Sequence, residues 1–133
     1  MFEYHGWITI QSSAGDEDLA DLEAAHARVE KQLELLRGGT SLVDLRWVNG
    51  MSQLHISGLL NRRAGEGQSV IDAFNRVGEV APGSYGLLYI LDDEDPAGNG
   101  NEFQVLVMRR GQVSQQSDPF LSPCVPVIED TDD

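Results

Sequence analysis

The sequence predicts an α+β domain of order β-α-β-β-α-β-β-β, with two helices packed on one face of a mainly antiparallel sheet. Apolar and polar residues alternate from Phe2 to Gln11, as in a half-buried strand. Apolar residues recur at helical spacing in two later stretches. Between those stretches, Asn49-Gly50 separates two strand-like runs, and this dipeptide is the strongest short signal for a β-hairpin.

The first half of the chain contains one predicted helix and the hairpin. The helix is predicted over residues 16–37, where apolar residues form one stripe at spacings of three and four. Residues 13–16 resemble a helix cap at its start. In the hairpin, the two-residue turn fixes the register, so Asp44 is expected to face His55 across the strands.

The second half contains a second helix and three further strands. The helix is predicted over residues 66–80, before Pro82-Gly83. Residues 84–91 are apolar almost throughout, which is typical of a central strand covered on both faces. Two shorter strands and an extended proline-containing segment follow at 102–109, 112–117 and 121–127. We expect one domain over residues 1–128 and an acidic, frayed tail at 129–133.

The chain is strongly acidic, with 22 Asp and Glu against nine Lys and Arg and a net charge of −13 over 133 residues. The surplus lies in residues 1–40 and 81–133, whereas residues 41–80 are balanced. Such a charge repels nucleic-acid phosphates and anionic lipids, so neither is an expected partner. It either serves solubility alone or attracts a basic protein partner.

Two segments have partial ligand-binding signatures. Residues 93–98 begin like a calcium loop, but the twelfth position is Gln104 and not the bidentate Glu that calcium requires, so we expect a solvated loop without metal or cofactor. Gly65-Glu66-Gly67 opens the second helix after Arg62 and Arg63, as in a dinucleotide fingerprint without its last glycine. A small-ligand or anion-binding module is therefore the alternative function.

The sequence offers no complete catalytic constellation, so we do not expect an enzyme. Cys124 lies between prolines without a nearby positive charge, which indicates a buried, unreactive thiol. Asp44 and His55 would form two-thirds of a triad without a nucleophile. The single cysteine and the absence of a signal-peptide pattern at residues 2–5 favour the cytoplasm. The oligomeric state stays open.

Trp7 is the residue hardest to explain from the pattern. By strand alternation it lies on the polar face, away from Phe2, Tyr4 and Ile8. Either the C-terminal segment covers it, which the rarity of exposed Trp favours, or it anchors a protein partner.

Three segments, taken in order and spacing, resemble the immunity protein 7 family of bacterial polymorphic-toxin systems. They are Phe2-Glu3-Tyr4-His5-Gly6-Trp7, then Ser84 to Tyr89 running into Asp92-Asp93-Glu94, and the closing Leu121 to Pro126. The resemblance extends from Met1 to about Asp130. It implies a small cytoplasmic α+β protein, encoded beside a secreted toxin, that binds the toxin domain and blocks it. The toxins of such systems are typically nucleases.

The resemblance and the charge lead to one functional hypothesis. Nuclease domains are basic because they hold phosphates, so an acidic protein can occupy the same surface. We expect a tight, non-catalytic complex with a cognate toxin. The charged contacts are expected from Asp92, Asp93, Glu94, Asp95 and Glu102, and Trp7 is the expected apolar anchor.

Overall fold

The computed structural model describes residues 1–132 and shows a six-stranded antiparallel sheet with two helices on one face, which confirms the predicted fold class. No helix in this part of the chain is long and apolar enough to cross a membrane. The elements in order are β1 (Phe2–Ile10), α1 (Leu19–Gln32), β2 (Leu42–Val48), β3 (Met51–Leu60), α2 (Ala64–Val80), β4 (Tyr85–Asp92), β5 (Gln104–Arg109), β6 (Gln112–Ser117) and α3 (Cys124–Val127).

The sheet has the strand order β2-β3-β1-β4-β5-β6, so β1 lies in its centre between β3 and β4. All neighbouring strands are antiparallel. The predicted hairpin register is confirmed, because Asp44 pairs with His55 and Val43 with Ile56. Asn49 and Gly50 form the turn with φ of 50° and 81°, the left-handed conformation that a two-residue turn requires.

The main core lies between the sheet and the two long helices. From β1, Phe2, Tyr4 and Ile8 point into it, and each is at most 1% exposed. Val29 of α1 and Phe74 of α2 pack against them. Because side chains alternate along a strand, the intervening residues of β1 face the other side of the sheet, which neither of the two long helices covers. We call that side the open face.

Helix α1 is shorter than the predicted 16–37 at both ends. It begins after Asp18, whose side chain accepts a hydrogen bond of 2.8 Å from the backbone N–H of Asp21, so Asp18 is the cap and the expected cap at residues 13–16 was wrong. The carboxylate of Glu17 instead binds the backbone N–H and hydroxyl of Ser12. After Gln32 the chain continues as tight turns rather than helix.

The C-terminal segment is not wholly extended, contrary to the prediction for residues 121–127. One turn forms at Cys124–Val127, because the donors that close it are N–H groups that follow the prolines: Val127 binds the carbonyl of Pro123 at 3.1 Å, and Ile128 that of Cys124 at 2.9 Å. Val125 inside this turn keeps an extended backbone. The Ser122–Pro123 and Val125–Pro126 peptide bonds are cis.

The C-terminal segment covers one end of the open face. Cys124 packs there with Leu91 and Phe103 in a small second core. At the other end of β4, Tyr85 is 42% exposed. The prediction that this strand is covered on both faces was therefore correct only near Leu91.

Candidate protein-interaction surface

The acidic loop that follows β4 is a structured turn, and most of residues 93–98 are exposed to solvent. Asp92 is buried, and its carboxylate accepts a hydrogen bond of 3.0 Å from the backbone N–H of Glu94. Asp95 binds the backbone N–H of Ala97 in the same way at 2.9 Å. These bonds shape the loop, so Asp92 and Asp95 have part of their hydrogen-bonding capacity occupied within it.

Asp93 and Glu94 lie next to the amino group of Met1. The carboxylate of Asp93 is 2.8 Å from this amine and that of Glu94 is 4.0 Å away. The hydrogen bond to Asp93, together with the charges of the neighbouring acids, raises the pKa of the Met1 amine. The side chain of Glu94 is 71% exposed, so Glu94 is the acid of this loop most accessible to a partner.

Glu102 lies beyond the loop, just before β5. Its carboxylate accepts a hydrogen bond of 2.9 Å from the side-chain amide of Gln104, and Gln104 is buried. Glu102 is itself only half-exposed. It therefore positions the start of β5 while leaving part of its charge at the surface.

The two arginines of the alternative anion site face the acidic loop. Arg62 and Arg63 line a groove of about 370 Å³ together with Asp92 and Glu94. An anion that entered this groove would meet two carboxylates as well as two guanidinium groups, which disfavours anion binding. Arg63 also donates a hydrogen bond of 2.8 Å to Gln68 within α2.

The topology brings further acids to the same end of the sheet. Glu3 lies at the start of β1, and Asp118 and Glu129 flank the C-terminal segment. Burial, followed by the negative charges of Glu129, Glu3 and Asp118, raises the pKa of the Cys124 thiol. Cys124 is thus a buried, protonated thiol, as its sequence context predicted. We call the surface formed by Glu3, Asp93, Glu94 and Glu129, together with the buried carboxylate of Asp118, the acidic end.

Trp7 is left uncovered on the open face. Trp7 is 37% exposed. Its ring contacts that of Tyr85 edge to face, with ring centroids 6.1 Å apart and an angle of 87° between the ring planes. The C-terminal segment packs on Leu91 and Phe103 instead. The sequence pattern had left Tyr85 unremarked, although its spacing from Leu87 and Tyr89 placed all three on one face of β4.

The structure does not assemble the partial catalytic constellation. Asp44 lies opposite His55, but its carboxylate pairs with Arg46, whose Nε is 2.9 Å away. His26 is a structural residue, with Nδ1 2.7 Å from the hydroxyl of Ser52 and its ring stacked on Trp47. Within residues 1–132, no group of three or more His, Cys, Asp or Glu side chains is placed to hold a metal ion.

The fold and surface define a small acidic α+β domain with one sheet face that is covered only at one end, and with carboxylates gathered at that end of the sheet. A family model described as Immunity protein 7 matches residues 1–130, and the chain belongs to this family. It is therefore an immunity protein, a protein that acts against a toxin. No curated protein and no solved structure matches the chain.

Proposed function

We propose that this immunity protein binds the toxin domain encoded beside it, a basic nuclease, and neutralises it without catalysis by occupying its nucleic-acid-binding surface. The observation that supports this proposal is the acidic end, where the topology gathers carboxylates from distant parts of the sequence beside an uncovered aromatic face. The complex would form in the cytoplasm, before the toxin reaches its substrate.

Charge complementarity supports a basic nuclease as the target. An enzyme that holds nucleic acid presents Lys and Arg to the phosphates. A surface rich in carboxylates attracts that same region, speeds the encounter and competes with the substrate for it. The net charge of −13 makes the long-range attraction strong at low salt.

The proposed contacts are those expected from the sequence, with distinct roles. Glu94 contacts the toxin directly, because it is the most exposed acid of its loop. Asp93 stays paired with the Met1 amine and contributes to the interface through its negative charge. The other three acids stabilise the shape of this surface through hydrogen bonds with neighbouring residues. They are Asp92, Asp95 and Glu102.

Trp7 and the loop are close enough to share one interface. Phe2 pairs with Asp92 and Trp7 pairs with Leu87, so the two lie five residues apart along the strands. At 3.4 Å per residue this is about 17 Å. A stable interface covers about 800 Å² on each partner, a patch about 30 Å across, so it accommodates both.

The deciding experiment is co-purification with the toxin domain encoded by the adjacent gene, combined with rescue of cells that express that domain. We expect a stable complex, full rescue and loss of nuclease activity in the complex. If the wild-type chain neither binds nor rescues, the proposed function is wrong. If it rescues but the toxin is not a nuclease, only the proposed target is wrong.

A matched pair of charge variants tests the role of the loop. Asp93→Asn with Glu94→Gln removes two charges at the acidic end, whereas Glu23→Gln with Glu34→Gln removes one charge from α1 and one from the turns that follow it. At low salt we expect the association rate to fall several-fold for the loop variant and to change little for the variant at Glu23 and Glu34. Equal effects of both pairs would show that only net charge matters.

A further inference from the structure

The open face carries a shallow pocket across β2, β3, β1 and β4. Its volume is about 330 Å³, and its side-chain walls come from His5, Trp7, Leu42, His55, Ser57 and Tyr89. The strand register explains why they meet. Trp7 pairs with His55, and His5 pairs with Ser57 on one side and with Tyr89 on the other. We call this site the open-face pocket.

Two aromatic rings in the pocket each contact another ring. Trp7 makes an edge-to-face contact with Tyr85. Tyr89 meets Phe103 with ring centroids 6.1 Å apart and planes at 72°. Such contacts limit the freedom of the side chains before any partner binds, so little conformational entropy is lost on binding. Aromatic faces attract cations.

A carboxylate lies beside the wall of the pocket. Its walls contain no Lys or Arg. The carboxylate of Glu3 is 2.6 Å from Nε2 of His5 in the pocket wall, and the Glu3 side chain is 32% exposed. Burial, followed by the negative charge of Asp118, raises the pKa of Tyr89 in the same pocket wall.

The protein's own described residues leave the pocket open. The C-terminal segment ends its packing at the small core of Leu91, Phe103 and Cys124, which Tyr89 only borders. Part of Trp7 therefore remains exposed to solvent, and Trp7 belongs to neither hydrophobic core. Large exposed aromatic side chains with ordered surroundings are typical of protein-binding hot spots.

We propose that the open-face pocket receives an arginine side chain of the toxin domain. The guanidinium group would stack on the ring of Trp7 or Tyr89 and donate hydrogen bonds to the carboxylate of Glu3. Arginine fits better than lysine because its planar group stacks on aromatic rings and binds carboxylates with two parallel hydrogen bonds. The proposal rests on the proposed function for the identity of the partner, and it adds the docking face and the chemistry of the central contact.

The first test measures the affinity of the toxin domain for variants of the pocket. We expect Trp7→Ala to weaken binding at least about 30-fold, as at a hot spot, and Trp7→Phe to restore part of it. Trp47→Ala is the matched control, because Trp47 is 41% exposed but stacks on His26 on the helical side. If Trp7→Ala binds as tightly as the wild type, the pocket is not the docking site and the proposed function still stands.

The second test concerns the charge. Glu3→Gln is expected to weaken binding about tenfold, and Glu34→Gln, an equal charge change on the helical side, less than about twofold. Equal affinities of Glu3→Gln and the wild type would exclude an arginine held by Glu3. If Glu3→Gln binds like the wild type but Trp7→Ala loses binding, the pocket receives an apolar side chain of the toxin and not an arginine.

A third test does not need the toxin. A hexa-arginine peptide and its uncharged hexa-citrulline counterpart are titrated against the wild-type chain while the two indole N–H signals are followed by NMR. We expect the arginine peptide alone to shift the Trp7 signal saturably and to leave Trp47 unchanged. If the toxin domain does not bind the wild type, the proposed function is wrong. The titration then still shows whether the open-face pocket binds an arginine side chain. An unmoved Trp7 signal, or equal shifts with both peptides, overturns the proposal.

Discussion

Gly78 of α2 lies directly against Gly111 in the turn between β5 and β6. A Cβ atom on Gly78 would be 2.3 Å from the carbonyl oxygen of Gly111, and one on Gly111 would be 2.5 Å from the carbonyl oxygen of Gly78. Two glycines thus let a helix backbone and a turn backbone touch. This contact fixes the last turns of α2 over the β5–β6 end of the sheet.

The first prediction concerns this contact. Gly78→Ala should lower the free energy of unfolding by about 1–3 kcal/mol, because the backbone of one element has to move. Gly65→Ala in the first turn of α2 is the control, since a Cβ atom there meets nothing within 4 Å. The control should be neutral or more stable by up to about 1 kcal/mol, because alanine favours helix. Urea denaturation of both variants measures the difference, and equal stabilities would contradict the close packing.

The second prediction concerns the bond that ties α1 to the hairpin. Nδ1 of His26 is 2.7 Å from the hydroxyl of Ser52, which is fully buried. Ser52→Ala should lower the free energy of unfolding by about 1–3 kcal/mol, because the ring nitrogen loses its partner in a partly buried place. Ser114→Ala in the exposed strand β6 should change it by less than about 0.5 kcal/mol. Thermal unfolding in parallel would show whether the two variants differ.

The third prediction concerns the attachment of the C-terminal segment. Asp118 is 2% exposed and accepts hydrogen bonds from the backbone of Phe120 and Leu121 and from the hydroxyl of Ser122. In Asp118→Ala those donors lose their acceptor, so the segment should open more often and expose Cys124.

The measurement is the rate of labelling of Cys124 by a thiol reagent under native conditions. We expect labelling of Asp118→Ala to be at least tenfold faster than that of the wild type. Asp130→Ala removes an exposed acid near the end of the same segment and should label at the wild-type rate. Unchanged labelling of Asp118→Ala would mean that the small core of Leu91 and Phe103 holds the segment by itself.

The fourth prediction concerns alkaline pH. The pKa of Cys124 is raised in the folded chain by burial and by nearby carboxylates, so the folded state holds the thiol proton more tightly than the unfolded state. Its contribution to stability is therefore complete below the ordinary thiol pKa of about 8.5 and is lost as the pH rises from there through the raised value. We therefore subtract the free energy of unfolding of Cys124→Ala from that of the wild type at each pH. This difference should fall by at most about 1.4 kcal/mol per pH unit.

Cys124→Ala is needed as the reference because two other groups act in the same direction. The pKa values of the Met1 amine and of Tyr89 are also raised, so stability falls at alkaline pH in both proteins. The difference between the two proteins isolates the thiol. A difference that does not change between pH 8 and pH 11 would contradict the raised pKa.

The sequence predicted the elements whose signals are local and periodic. The turn at Asn49-Gly50 fixed the hairpin register, and the apolar stripe of α2 placed that helix to within two residues. The start of α1 was misplaced because several acids compete for the cap, and only the structure shows that Asp18 bonds to Asp21. The expectation that Pro123 and Pro126 keep this segment extended was wrong at Cys124–Val127. The backbone N–H groups of Val127 and Ile128, which follow the prolines, are enough to close one turn.

The surface was harder to predict because it depends on which distant residues meet. The acids at 92–95 were visible in the sequence, but their internal uses were not: one carboxylate is buried in its own turn and another pairs with Met1. The grouping of Glu3, Asp118 and Glu129 requires the strand order of the sheet. The open-face pocket required knowing that His5 and Trp7 of β1 lie between β3 and β4.

The central position of β1 has a consequence for how the newly made chain matures. Its partners are distant in sequence, since Phe2 pairs with Leu60 on one side and with Asp92 on the other. β1 therefore has both of its edges bonded only after the chain has been made as far as β4, and such long-range pairing makes folding slow. Until β4 arrives, β1 presents an unpaired apolar edge to other chains. An immunity protein whose central strand is completed this late is thus open to aggregation and proteolysis until β4 has paired with β1.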